Sequence, residues 1–215
     1  IGTHGGGLNL YNPGTDNFQH YDAGGNFPAN SINNNTVRAL VEDQAGNLWI
    51  GTDNGLNCLN KKTGTFSFYV HEDNKNSISN NSILSFYQDK KDNLWIGTMM
   101  GLNYFNTKTK QFIIYTTENG LANNAVFGIT EDENYNLWVS SNRGLSRINL
   151  LTKKVKNYDP ADGLQSFEFK DHAFCKASSG KMYFGGINGF NEFEPALIKE
   201  NDFDPPMVIT AFQVF

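Results

Sequence analysis

The sequence contains only two cysteines, Cys58 and Cys175, and no long apolar segment. The cysteines lie at non-equivalent positions of the repeat from which the chain is built, which is not the pattern of a disulfide framework or a zinc site. No apolar run approaches the roughly 18 residues that a membrane-spanning helix needs, and no basic-plus-apolar signal peptide is present. We therefore expect no metal, no cofactor and no membrane contact by this segment itself.

Basic residues are also scarce. The chain has 17 Lys and Arg against 22 Asp and Glu, a formal net charge of −5. Its lysines are scattered over turn-like segments and form no phosphate-binding patch, so nucleic acid is not an expected partner. Only four histidines are present, and no His-x-x-x-His pair, nucleophile elbow or carboxylate pair stands out. These absences argue against an enzyme.

A repeated hexapeptide is present instead. Asn-Leu-Trp-Ile-Gly-Thr at 47–52 returns at 93–98, as Asn-Leu-Trp-Val-Ser-Ser at 136–141, and in diverged form at 181–186. The aromatic positions, Trp49, Trp95, Trp138 and Tyr183, are spaced by 46, 43 and 45 residues. Such periods are typical of a propeller blade of four strands. The chain begins with Ile1-Gly2-Thr3, which matches the end of another copy.

Each repeat divides into four predicted strands, A to D from the inside outward. Strand B is the hexapeptide, and strand C begins at the glycine that follows it, as at Gly55, where Asn54-Gly55 favours a tight hairpin turn. The predicted A strands are 37–42, 83–88, 126–131 and 171–176. The predicted D strands are 18–21, 66–69, 112–115 and 155–158. The turns after strand A carry Asp43, Asp89 and Asp132, which hairpin chemistry explains.

The repeat predicts an all-β protein, a β-propeller segment of about five four-stranded antiparallel blades, of which the first and last are incomplete. We expect blade segments at 1–22, 36–70, 82–116, 125–159 and 171–198. Neither face of strand B is polar, so neighbouring blades must cover both. A small residue two places after the aromatic, such as Gly51, is expected to let the facing blade approach or the aromatic ring lie flat. The tryptophans are accordingly expected to pack rather than to bind.

The pattern from 37 to 57, Val-x-x-x-x-x-Asp-x-x-Gly-Asn-Leu-Trp-Ile-Gly-Thr-x-x-Gly-Leu-Asn, resembles the two-component regulator propeller repeat. The closing segment 205–212 resembles the entry into the β-sandwich that follows such propellers, so 199–215 is expected to be a linker and the first sandwich strand. Together they resemble the extracytoplasmic sensor region of hybrid two-component regulators. That resemblance implies seven-bladed propellers, a periplasmic location, a homodimeric full-length parent, a carbohydrate ligand and signalling to a histidine kinase.

Blade geometry places the D-to-A loops and B-to-C turns on one face, here called the loop face. The A-to-B and C-to-D turns lie on the opposite, hairpin face. The loop face carries long and varied segments, and variation on a constant scaffold is where binding usually resides. Ligand-binding candidates are therefore the residues that differ between the copies. They are His4, Asp53, Met99, Met100, Asn142 and Arg143 in the B-to-C turns, Arg38 and His172 early in strand A, and Phe27 and Phe167 in the long loops.

Each candidate also has a structural explanation. Arg38 and His172 replace apolar Leu84 and Phe127 at one repeat position and could line the axial opening, or they could be solvated at a strand end. Phe27 and Phe167 could stack on a sugar ring or plug the blade tops. The leading hypothesis is a non-enzymatic sensor that binds a small molecule or oligosaccharide. The alternatives are a protein-binding scaffold propeller and a metal-dependent propeller lyase or lactonase.

The incomplete first and last blades imply two uncovered sheet faces. Leaving roughly 500 Å² of apolar surface in water costs on the order of 10 kcal/mol. The segment is therefore expected to belong to a longer chain or to find a partner, unless its last strand closes a five-bladed ring.

Overall fold

The computed structural model describes residues 1–24, 31–74 and 76–198, and these form five antiparallel sheets in chain order. The first sheet is β1 (Leu8–Asn12) and β2 (Asn17–Tyr21). The second is β3 (Val37–Glu42), β4 (Asn47–Thr52), β5 (Gly55–Asn60) and β6 (Thr65–Tyr69). The third is β7 (Ile83–Gln88), β8 (Leu94–Thr98), β9 (Gly101–Asn106) and β10 (Gln111–Tyr115). The fourth is β11 (Gly128–Glu131), β12 (Asn136–Ser141), β13 (Gly144–Asn149) and β14 (Val155–Tyr158). The fifth is β15 (Phe169–Lys176), β16 (Met182–Gly186) and β17 (Gly189–Phe193).

The sheets are propeller blades. Each pairs its strands in sequence order, and the innermost strands β3, β7, β11 and β15 contact one another in succession. The predicted all-β propeller segment is thus confirmed, with three complete blades, a three-stranded fifth sheet and a two-stranded first sheet. Gly2 adds a bridge to Leu8 beside β1. Among the described residues no strand of the fifth sheet pairs with the first, so β-pairing does not close the arc.

Two details of the strand prediction are corrected. The predicted strand 126–131 begins two residues later, at Gly128, and the predicted strand 171–176 begins two residues earlier, at Phe169. The long loops also contain short 3₁₀ helices, Thr117–Asn119, Pro160–Asp162 and Pro195–Leu197. Thr116 and Asp159 cap the first two, which end at glycines in the left-handed region. The expected linker and sandwich strand at 199–215 lie outside the described residues.

The central strands are buried on both faces. Trp49 and its neighbour Ile50 point to opposite faces of β4, and both are buried. The indole N–H of Trp49 donates to Asp43 Oδ2 over 2.9 Å, and the same carboxylate accepts from the backbone and side chain of Asn47. Asp43 therefore both begins its hairpin turn and anchors the packing strand β4.

The small residue after the tryptophan allows close contact between blades. A Cβ at Gly51 would lie 2.5 Å from Ile83 Cγ2 of the next blade, and one at Gly97 would lie 2.6 Å from the Val126 carbonyl oxygen. Both distances are too short for real contacts, as expected from the sequence. The explanation does not extend to Gly185, whose nearest neighbour is Ala173 in its own sheet. No helix among the described residues is long and apolar enough to cross a membrane.

Candidate functional site on the loop face

The D-to-A loops and B-to-C turns are hydrogen-bonded to one another, which places them on one face. The Gly55 amide donates to the Asn81 carbonyl oxygen over 2.7 Å, and the Gly144 amide donates to that of Phe167 over the same distance. Strand C also positions these loops. Buried Asn57 accepts the backbone amide of Asn33 over 2.9 Å through its side-chain oxygen. Asn103, Ser146 and Asn191 repeat this bond to the amides of Ser79, Ala122 and Gln165.

Bulges at the start of the inner strands turn selected side chains away from the regular ladder. In β3, Val37 pairs with Thr52 and Ala39 with Gly51, so Arg38 is the extra residue. In β15 the irregularity is larger. Phe169 pairs with Gly186 and Phe174 with Phe184, so an advance of five residues along β15 corresponds to only two residues along β16. Bulges re-aim side chains and are frequent beside functional sites. The β15 bulge contains His172, a non-glycine residue at φ 58°.

These bulges bring a polar group of residues together, here called the axial cluster: Arg38, Asp53, Ser82, Asp171 and His172. Arg38 binds Asp53 through two hydrogen bonds, a short one from Nε to Oδ1 and one of 3.2 Å from Nη2 to Oδ2. Arg38 Nη1 lies 4.0 Å from Asp171 Oδ2, which connects the inner strands of the second and fifth sheets. The His172 Nε2 atom lies 3.9 Å from the same oxygen. Ser82 Oγ lies 3.4 Å from Asp53 Oδ1.

The cluster is only partly buried. The side chains of Arg38 and Asp53 are 28% and 33% exposed, and those of Asp171 and His172 are more open. The hydrogen bond to Asp53 raises the pKa of Arg38, and burial opposes that shift only in part. One guanidinium thus lies between two carboxylates, with an imidazole beside them, in a position that solvent can reach.

The other predicted site residues are on or near this face but outside the cluster. His4 forms a backbone bridge with Thr36 next to β3. Met99 and Met100 are exposed in their turn, Asn142 and Arg143 are exposed in theirs, and Phe167 is half-exposed. Among the described residues, no side-chain hydrogen bond or ion pair joins any of these to the cluster. Phe27 lies outside the described part of the chain.

Sequence reasoning missed two members of the cluster, Asp171 and Ser82. Asp171 is the first residue of the predicted strand 171–176, and a regular strand pattern does not give the direction of its side chain. Three extra residues in β15 against β16 bring it to Arg38. The available signal was the pair Asp171-His172, two titratable residues at positions that are apolar in the third and fourth blades.

The cluster offers hydrogen bonding rather than an evident reaction. Arg38 has five N–H donors, of which Asp53 takes two. Asp171 Oδ2 lies 4.0 Å from Arg38 Nη1, which is too far for a hydrogen bond, so both groups can still bond a ligand. In the described ranges, no group of three or more His, Cys, Asp or Glu side chains is arranged to hold a metal ion. The arrangement suits a ligand that is rich in hydroxyl groups.

The family comparison explains the repeat. The model described as two component regulator propeller matches residues 31–54, 77–100 and 120–143, each of which runs from a D-to-A loop through strands A and B into the next turn. The chain carries two-component regulator propeller repeats. The three matches contain the three tryptophan copies of the hexapeptide, at 47–52, 93–98 and 136–141, whereas the diverged copy at 181–186 lies outside them.

The chain is similar to parts of two longer proteins. The extracellular domain of a hybrid two-component system from B. thetaiotaomicron is 28% identical, with a TM-score of 0.75 over 89% of this chain and 25% of that one. Histidine kinase P4 of Formosa agariphila is 34% identical over 56 residues, which are 26% of this chain and 4% of that protein. The chain therefore spans only a quarter or less of these relatives.

A more distant structure shares the fold alone. Virginiamycin B lyase from Staphylococcus aureus is 15% identical, with a TM-score of 0.56 over 88% of this chain and 63% of that one. At this identity the likeness concerns blade architecture, and it carries no information about chemistry.

Proposed function

We propose that the chain is a ligand-sensing part of the extracytoplasmic propeller region of a hybrid two-component signalling protein, and that it is not itself an enzyme. The relative from B. thetaiotaomicron supports the assignment to an extracytoplasmic region, since that relative is an extracellular domain of such a system. The full-length parent would be a homodimer whose sensor region lies in the periplasm and whose output is a histidine kinase.

We further propose that the axial cluster binds an oligosaccharide. The observation that carries this proposal is the approach of Arg38 to Asp171, which joins donors and acceptors from two blades on the loop face. Sugar hydroxyls both donate and accept, so they suit a guanidinium beside carboxylates. Hydrogen bonds to charged groups contribute about 1.5–3 kcal/mol each.

Calorimetry on the 215-residue chain against a panel of oligosaccharides tests this function. At least one should bind, and Arg38→Ala should weaken binding by tenfold or more because two hydrogen-bonding partners lose their fixed positions. The matched control is Lys61→Ala, which removes the Lys61–Glu42 ion pair of 2.6 Å on the hairpin face. It should leave affinity unchanged.

Other outcomes separate the rival functions. Failure of every oligosaccharide, together with stoichiometric binding of a purified protein, would favour a scaffold propeller. A stoichiometric metal held by aspartate or asparagine ligands in the axial opening would favour a lyase-like enzyme. If Arg38→Ala and Lys61→Ala change the oligosaccharide affinity equally, the axial cluster is not the binding site.

A further inference from the structure

Three apolar side chains near the hairpin turns depart from the repeat and are exposed. Ile113 of β10 is 54% exposed, Tyr135 in the turn before β12 is 50% exposed, and Leu151 in the turn after β13 is 74% exposed. The other copies carry polar residues or glycine at these positions. They are Gln19, Ser67 and Lys156 in place of Ile113, Gly46, Asp92 and Gly180 in place of Tyr135, and Gly14, Lys62 and Lys108 in place of Leu151. Blade packing therefore does not require an apolar residue at any of the three.

Tyr135 also has a backbone conformation that tyrosine rarely adopts. Its φ is 59°, in the left-handed region, and the aligned residues of the other copies are Gly46 at 83°, Asp92 at 66° and Gly180 at 90°. Glycine accepts this region without strain and aspartate tolerates it, whereas a bulky residue is strained there. The fold thus holds an exposed aromatic ring on a strained backbone, and strain of this kind concentrates at functional sites.

The three side chains line one cavity of about 300 Å³ between the hairpin turns of the third and fourth blades, here called the hairpin cavity. Tyr104, which pairs with Ile113 across β9 and β10, adds to the apolar wall together with Leu150. The Leu150 amide donates to the Tyr135 carbonyl oxygen over 2.9 Å, so the two turns of the fourth blade hold each other in place. Both blades have neighbours on either side, so the cavity does not belong to the uncovered end sheets.

Three lysines stand beside these apolar walls, Lys90, Lys91 and Lys153. The Lys90 ammonium lies over the Tyr135 ring, 5.9 Å from its centre. Lys91 and Lys153 are exposed and form no ion pair with any residue that the structure describes. Their charges are therefore available to an anion that enters the cavity.

The cavity also contains two carboxyl groups, which are already hydrogen-bonded within the protein. Asp89 accepts from the Asn93 side chain with both oxygens. Glu131 accepts from the Tyr87 hydroxyl over 3.1 Å, and burial raises its pKa. The lysines outnumber these two groups, so the cavity favours a ligand of negative charge.

We propose that the hairpin cavity binds a small aromatic carboxylate, with its ring against Ile113, Tyr135 and Leu151 and its carboxylate among the three lysines. Ligand pockets commonly combine such apolar walls with a few placed polar groups, and a ring gains from contact with the tyrosines. Ammonium groups form charge-assisted hydrogen bonds to a carboxylate. The cavity shares no residue with the axial cluster, so this site is independent of the oligosaccharide hypothesis.

Calorimetric titration of the 215-residue chain with 3-phenylpropionate is the direct test. We expect saturable binding. The uncharged 3-phenylpropanamide has the same ring and linker, and it should bind about tenfold more weakly because it cannot form charge-assisted bonds to the lysines. No saturable binding at millimolar 3-phenylpropionate, or equal affinity for the amide, overturns the proposal.

Tyr135→Gly separates binding from folding, because it restores the glycine found at this position in the second and fifth sheets. The substitution removes the ring and relieves the left-handed strain. We expect 3-phenylpropionate to bind about tenfold more weakly, while the melting temperature stays unchanged or rises. Undiminished affinity overturns the proposal, and so does a lower melting temperature, which would show that the ring is needed for packing.

Lys91→Gln tests the charged end of the site. It should weaken the binding of 3-phenylpropionate by roughly threefold and leave the binding of 3-phenylpropanamide unchanged. The matched control is Lys62→Gln, an exposed turn lysine of the second blade that lies outside the cavity, and it should change neither affinity. Equal losses for the two ligands, or equal effects of the two substitutions, contradict the placement of the carboxylate among the lysines.

Discussion

Trp49 and Trp95 occupy one position of the repeat, yet only Trp49 has a carboxylate acceptor for its indole N–H. Both hairpin aspartates, Asp43 and Asp89, accept from the backbone and side chain of the asparagine four residues later. The indole bond is therefore the principal difference between them. This allows its free energy to be measured by a comparison within one protein.

We predict that Asp43→Ala lowers the free energy of unfolding by about 1 kcal/mol more than Asp89→Ala does, because only the former strips a buried indole N–H of its acceptor. Urea denaturation of both variants supplies the comparison. Equal losses would mean that the turn bonds to the asparagines account for the whole effect and that the indole bond contributes nothing.

Glu131 is a buried carboxylate whose ionisation opposes folding. Burial raises its pKa, and the hydrogen bond from the Tyr87 hydroxyl, 3.1 Å long, offsets this only in part. A carboxyl whose folded pKa is raised stabilises the fold below its unfolded pKa of about 4.3, and that stability is lost as pH rises through the folded value. Glu131→Gln should therefore raise the melting temperature at pH 7, with a difference that shrinks towards pH 4.

The control for this prediction is Glu133, two residues further along the chain. It is exposed, and the hydrogen bond from Lys176 lowers its pKa. Its contribution has the opposite sign, present above the unfolded pKa and lost as pH falls. Glu133→Gln should not stabilise the fold at pH 7. A lower melting temperature for Glu131→Gln at neutral pH would contradict the account of burial.

At the scale of strands, close approach of blades depends on residues without side chains. Gly51→Ala would place a methyl group against Ile83 Cγ2, and overpacking of this kind typically costs about 1–3 kcal/mol. Gly185→Ala is the matched control at the same repeat position, where the nearest atom is the Ala173 Cβ at 3.0 Å. Chemical denaturation should show a larger loss for Gly51→Ala. Equal losses would mean that contact between blades does not select the small residue.

The strands could be predicted from the sequence because the repeat supplies four aligned copies of one pattern. The predicted strand 37–42 agrees with the structure, since the apolar pattern begins at Val37 and the turn residue Asp43 follows Glu42. The start of β15 could not be predicted, because its bulge places three extra residues opposite β16 and no other copy shares it.

The candidate site was predictable to a similar extent. Arg38 and His172 are predicted from the sequence because they break the repeat, and in the structure Asp171 lies near both. Asp171 was missed for the same reason as the strand start: the bulge decides its direction.

At the scale of the whole molecule, the two end sheets leave apolar surface uncovered. Phe190 of β17 is 65% exposed, whereas Leu102, at the same repeat position in the third blade, is fully buried. In the first sheet Leu10 and Phe18 are 55% and 45% exposed. Flanking blades or a partner chain would cover these faces. The resulting gain in stability is roughly proportional to the apolar area removed from water.

We predict that a longer segment of the parent protein, extended on both sides, unfolds at a higher urea concentration than the 215-residue chain. Sedimentation should show the shorter chain to be associated if a second copy covers its end sheets instead. A monomeric 215-residue chain that is as stable as the extended segment would contradict the prediction.

The central claim is that the blades are a scaffold and that the sensing site lies where the copies differ, on the loop face. Hydrogen–deuterium exchange of the 215-residue chain, with and without the tightest-binding oligosaccharide, tests it most directly. The account predicts ligand-dependent protection at Thr36 to Arg38, at Asp53 and at Asp171 to His172. Protection confined to the hairpin turns that begin at Asp43, Asp89 and Asp132 would contradict it.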